Sequence, residues 1–104
     1  MTFMEGTNIE HTKGDTFKLE LSPFENEAFE QGSTLQFVIA KNEKQTAVIN
    51  KSVALSGDIF IVEISSEEIG CLEIGNYIYK TIIHYPDGSV ITQNSGDFIV
   101  NWGV

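Results

Sequence analysis

Leu72–Val100, LEIGNYIYKTIIHYPDGSVITQNSGDFIV, is the stretch on which the reading of this chain turns. Successive side chains of a strand point to opposite faces. Tyr77, Tyr79, Thr81, Ile83 and Tyr85 therefore share one side, and Ile78, Lys80, Ile82 and His84 share the other. Pro86-Asp87-Gly88 then marks a tight turn, because proline pre-sets φ at the first central position and glycine supplies the left-handed residue. Val90–Thr92 returns antiparallel to the first strand. Ahead of it, Leu72-x-x-Gly75-x-Tyr77 has the spacing of a structural corner, in which a tyrosine hydroxyl turns back onto nearby backbone.

Outward from this hairpin the alternation repeats. Thr16–Ser22 sets Phe17, Leu19 and Leu21 inward, Thr34–Lys41 does so with Leu35, Phe37 and Ile39, and Ile59–Ile64 with Phe60, Val62 and Ile64. Ala47–Leu55 alternates imperfectly around Lys51 and reads as an edge strand, where a lysine discourages pairing with other chains. Ser65-Ser66-Glu67-Glu68 matches a capping box, opening a short helical turn near Ser65–Cys71. Gln93–Ser95 interrupts the return strand as a bulge does, and Gly96–Trp102 completes it with Phe98, Val100 and Trp102 facing one way. Residues 1–12 read as a leader with an edge strand over Thr7–Thr12, and residues 13–104 as a single domain. About seven short strands, separated by turn signals, predict an all-β, immunoglobulin-like antiparallel β-sandwich. The Cys…Trp…Cys framework of antibody domains is absent from it.

Composition narrows the function. The chain of 104 residues is 41% apolar and 11% aromatic, which suits one packed domain. Its formal charge is −9, with 15 acids against 6 lysines and no arginine. That balance argues against nucleic acid, whose phosphates are met mainly by Lys and Arg, and against an anionic membrane surface. MTFMEGTNIE has neither the basic nor the apolar region of a signal peptide, and no apolar run is long enough to span a bilayer. The lone Cys71 excludes an internal disulfide and, between Gly70 and Leu72, is expected to be a small buried or half-buried residue.

Little in the chain points to catalysis. His11 and His84 are the only histidines, and no nucleophile elbow, phosphate loop or paired-cysteine metal spacing occurs. His84 with Asp87 would lack a nucleophile, so no enzyme and no cofactor are expected. Glu25, Glu27 and Glu30, and the group Glu63, Glu67, Glu68 and Glu73, are the acidic clusters a hard cation would want, and they read as solvated loops. More informative is apolar material on outward faces. If Tyr77, Tyr79 and Ile83 point inward, Ile78 and Ile82 point out, and Val38 points out beside them when the two strands are neighbours. Contiguous exposed apolar side chains mark partner surfaces, so Val38, Ile78 and Ile82 are the candidate partner-binding residues. Leu72, Gly75 and Tyr77 are the structural corner.

Several short motifs follow one another in order: Gly14-Asp15-Thr16-Phe17, Gly32-Ser33-Thr34-Leu35, Ile49-Asn50-Lys51, Gly57 to Ile64, Leu72-x-x-Gly75-x-Tyr77-x-Tyr79, Pro86-Asp87-Gly88 and Gly96-Asp97-Phe98-x-Val100. In that order and spacing the chain resembles the N-terminal domain of the upper baseplate protein of tailed phages and prophages, over about residues 13–101. The resemblance implies a non-catalytic virion structural protein of the baseplate or tail, made in the bacterial cytoplasm. It would be an immunoglobulin-like adaptor whose partners are other tail or baseplate proteins or further copies of itself. Longer members of that family continue into a linker, a coiled coil and further domains. The alternative is a carbohydrate- or host-surface-binding sandwich, for which Phe24, Phe29 and Trp102 are the candidate platforms.

Overall fold

The computed structural model describes residues 2–5, 8–23, 28–42 and 44–102. Eight strands are formed: β1 (Thr2–Glu5), β2 (Asn8–Thr12), β3 (Phe17–Leu21), β4 (Thr34–Ala40), β5 (Ile49–Ser56), β6 (Ile59–Ile64), β7 (Gly75–His84) and β8 (Val90–Asn101). One helical turn, α1 (Ser66–Ile69), lies between β6 and β7. The fold is all-β.

The β7–β8 hairpin is its longest unit. Its turn closes with Gly88 N–H on Tyr85 O at 3.0 Å and Tyr85 N–H on Ser89 O at 2.9 Å. Gly88 sits at φ 94°, where a side chain would be strained. The Asp87 carboxylate accepts from the Ser89 N–H and hydroxyl, and these bonds hold its pKa below the ordinary carboxyl value. Further along, Thr92 faces Ile82 and Asn94 faces Thr81, leaving Gln93 as the extra residue of a bulge. The buried Thr81 hydroxyl fills that irregularity, taking the Asn94 N–H at 2.9 Å.

The strands run in the order β1-β2-β8-β7-β4-β5-β6-β3. Strands β4, β7 and β8 lie side by side in one layer, while β3 and β6 pair in the other. Three features depart from the expectation. Strand β5 is not a simple edge: Ile49–Ala54 pair with β4, and Leu55 and Ser56 then pair with β6, so one strand passes from the first layer into the second. Pairing is mixed rather than wholly antiparallel, because β2 lies parallel to β8 from Ile9↔Phe98 to Thr12↔Asn101. And Thr2–Glu5, within the expected leader, forms a strand that pairs antiparallel with β2, which brings the described strands to eight where about seven are expected. Met1, Gly6 and Thr7 lie outside the described residues.

The core fills the space between the layers. Phe17 stacks on Phe37 at 5.2 Å and meets Phe98 edge-on at 5.5 Å, while Tyr79 leans on Phe37. Each such phenyl ring contributes roughly 1.5–3 kcal/mol by burial, and ring pairs about 0.5–1.5 kcal/mol more. Strand β2 is drawn into this core: Ile9 is fully buried and His11 is 1% exposed, its ring against Phe17 at 5.7 Å and Phe98 at 6.0 Å. Burial lowers the His11 pKa below 6.5. Two local expectations are corrected. Cys71 is exposed, because it lies on the turn after α1 rather than on its buried side. Trp102 does not join Phe98 and Val100 inside; β8 ends at Asn101 and Trp102 is 74% exposed. No helix among the described residues is long and apolar enough to cross a membrane.

Candidate partner-binding face

The corner positions everything that follows it. Ser65 caps α1 by accepting the Glu68 N–H at 3.2 Å. The Glu68 carboxylate reaches Lys51 Nζ at 3.4 Å, so the reciprocal half of the capping box is replaced by a tie to β5. After α1, Leu72 is buried and Gly75 begins β7 at φ 146°. The buried Tyr77 turns its hydroxyl back and accepts the Glu73 N–H at 3.0 Å, four residues upstream. Lys41 Nζ sits 4.7 Å from the centre of the Tyr77 ring, a cation–π contact of about 0.5–1 kcal/mol at such a site. Lys13 Nζ donates to Leu72 O at 2.6 Å and Gly70 O at 3.1 Å. Three of the six lysines, Lys13, Lys41 and Lys51, thus hold the α1–β7 segment.

With β7 fixed, its outward side chains line up with those of β4 and β8. Val38 faces Lys80, Gln36 faces Ile82 and Ala40 faces Ile78 across β4–β7; on the other side Ile78 faces Asp97 and Lys80 faces Ser95. Val38, Ile78 and Ile82 therefore share one face, all half-buried, with Val38 diagonal to both isoleucines and exposed Lys80 between them. Beyond Ile82 the face turns polar. His84 Nε2 lies 2.9 Å from Gln36 Oε1, and Gln36 Nε2 donates to Asn50 Oδ1 at 2.9 Å. With its amide nitrogen turned to Asn50, Gln36 presents its oxygen to His84 Nε2.

Two shallow depressions flank β7 on this face. One, of about 120 Å³, runs between Val38, Ala40, Ala47 and Ile78 under the amides of Asn42 and Gln45. The other, of about 220 Å³, lies between Ile78, Ser95, Gly96 and Asp97. Lys80 borders both. Sites for drug-sized ligands measure about 300–1,000 Å³, so these hollows match single side chains of a partner better than a free small molecule. Alternation along the strands placed Val38, Ile78 and Ile82 together. It did not find Asn42, Gln45 and Ala47, which come from the β4–β5 connection, nor Ser95, Gly96 and Asp97 of β8 beside Ile78. No local sequence signal carries that register.

Other candidates fare differently. Among the described residues no group of three or more His, Cys, Asp or Glu side chains is arranged to hold a metal ion. Phe29 packs its ring on Phe60 at 4.8 Å and serves the core rather than a surface platform. Phe24, Glu25 and Glu27 lie outside the described residues. Comparison of the chain with protein-family models, characterised proteins and solved structures returns no match.

Proposed function

We propose that this chain is a non-catalytic structural protein of a phage or prophage virion, an adaptor domain of the baseplate or tail that works through protein–protein contacts. The observation that carries the contact reading is the outer face of β4, β7 and β8. There Val38, Ile78 and Ile82 offer half-buried apolar surface beside two side-chain-sized hollows, with Lys80 as the central cation. Apolar area of this kind, rimmed by amides and a few charges, has the make-up of a partner surface. The phage assignment rests on the ordered motifs from Gly14-Asp15-Thr16-Phe17 to Gly96-Asp97-Phe98. A charge of −9 suits the reading as well, since mutual repulsion keeps free subunits apart until a complementary partner is met.

The test is to purify particles after induction of a host lysogen and quantify the chain by mass spectrometry, with wild-type protein and with Ile82→Lys. Wild type is expected in fixed stoichiometry with tail proteins, and the variant is expected to fold but to be missing from particles. Absence of the wild-type chain from every particle fraction would refute the proposal. A second reading, a carbohydrate- or host-surface-binding module, is favoured by one observation, the exposed indole of Trp102. Saccharide binding on a glycan array that disappears with Trp102→Ala would establish it in place of the adaptor.

A further inference from the structure

Strand β8 runs on well beyond its outer neighbour. Parallel β2 covers it only from Phe98 to Asn101, and the Asp97 N–H is taken by Asn8 Oδ1 at 3.2 Å. From Val90 to Gly96, no described residue pairs with the outer edge. A bare edge of this sort is a template for another strand, and proteins commonly guard it with lysine, proline or inward-pointing charge. This one carries no such side chain: Gly88–Gly96, GSVITQNSG, has no ionisable group in a chain that is 20% charged.

A second observation points the same way. Ile91 lies opposite Ile83, which is fully buried, and so belongs to the inner face, yet Ile91 is 50% exposed. Its neighbour Val90 on the outer face is 55% exposed. The sandwich is thus open beside Ile91, at the very place where the adjoining strand is missing.

We infer that the Val90–Thr92 edge of β8 pairs antiparallel with the same edge of a second copy of this chain, about a twofold axis near Ile91. Charge selects the partner. Two subunits of −9 associate most readily across a surface without carboxylates, and this edge meets that condition. A twofold axis makes one patch serve both subunits, and here it sets Ile91 against Ile91, covering the half-exposed inner side chain of each. Among strands whose side chains are described, the other free edges are less suitable: β3 presents Lys18 and Glu20, and the free side of β5 carries Lys51. The bulge at Gln93 bends the strand and ends the pairing. The shared edge is short, so the dimer is weak and depends on concentration.

Sedimentation velocity of the full chain from micromolar to millimolar concentration tests this, with Ile91→Lys, Val90→Lys and Ile82→Lys alongside. Wild type and Ile82→Lys are expected to dimerise as concentration rises. Both edge variants are expected to stay monomeric, with Val90→Lys guarding against a folding defect at the inward-facing position. Hydrogen exchange should slow at Val90–Thr92 in the concentrated wild type and Ile82→Lys, and not in the edge variants. A wild type that remains monomeric throughout overturns the proposal, and so does dimerisation by both edge variants. A dimer lost with Ile82→Lys and kept with the edge variants assigns self-association to the outer face instead, leaving the adaptor reading intact and this one refuted.

Discussion

Tyr77→Phe removes one oxygen atom and little else. The ring stays buried, the cation–π contact with Lys41 at 4.7 Å is kept, and only the acceptor for the Glu73 N–H at 3.0 Å is lost. A net hydrogen bond is worth about 0.5–1.5 kcal/mol, and a buried donor left without a partner costs about 1–3 kcal/mol. Glu73 is exposed as a residue while the bond itself is partly buried, so water reaches the freed N–H in part and the expected loss is about 1–2 kcal/mol. With a urea m-value of roughly 1–2 kcal/mol/M for a domain of this size, the midpoint should fall by about 1 M. The melting temperature should fall by about 4–8 °C per kcal/mol. The m-value itself should not move, because the surface exposed on unfolding is unchanged. An unaltered midpoint at unaltered m would show that the hydroxyl contributes nothing to the corner. Lys41→Ala in the same background should cost a further 0.5–1 kcal/mol or so, reporting the cation–π contact separately.

Other perturbations probe different joints. Lys13→Met leaves the carbonyls of Gly70 and Leu72 without their shared cation and should destabilise by roughly 1–3 kcal/mol, read by urea denaturation; no change would mean that water replaces the lysine fully. For His11 the folded pKa is lowered from 6.5 by burial, so the unfolded chain binds the proton first. Stability is fully present above that value and declines as pH falls below it, by up to about 1.4 kcal/mol per pH unit until the folded pKa is reached. Denaturation midpoints of wild type and His11→Leu should diverge in slope below pH 6.5, and parallel slopes would refute the burial argument. In the turn, Asp87 holds the Ser89 amide. That amide should titrate with an apparent pKa below 3.8 by NMR, and a value at or above it would mean that the turn opens in solution.

Much of this fold was legible because its signals are local. Period-two alternation marked β3, β4, β6 and β7, Pro86-Asp87-Gly88 marked the turn, and Gln93–Ser95 carried the bulge. What stayed illegible depends on contacts between distant parts of the chain. Nothing in Asn8–Thr12 says that it will lie parallel to Phe98–Asn101, and so nothing reveals that His11 will be buried against Phe17 and Phe98. Strand β5 is similar: Lys51 looked like an edge guard, but the strand's change of layer at Leu55 is set by the two-residue turn to β6 and by Phe60 across from it. For the candidate face, alternation put Val38, Ile78 and Ile82 on one side. Only the register, with Lys80 opposite Val38, shows that a cation divides the apolar surface.

The parallel contact of β2 with β8 also governs how the domain bears load. Thr2 lies beside His11, and His11 lies beside Val100, so the first and last strands reach the same pole of the molecule two strand spacings apart, roughly 10 Å. Tension applied between these two points would first unzip β1 from β2, one bond at a time and at low force. It would then act on β2 from its Asn8 end and on β8 from its Asn101 end. Because those strands run the same way, their bonds are loaded together in shear rather than in turn. The domain is thereby built to give a little slack and then hold.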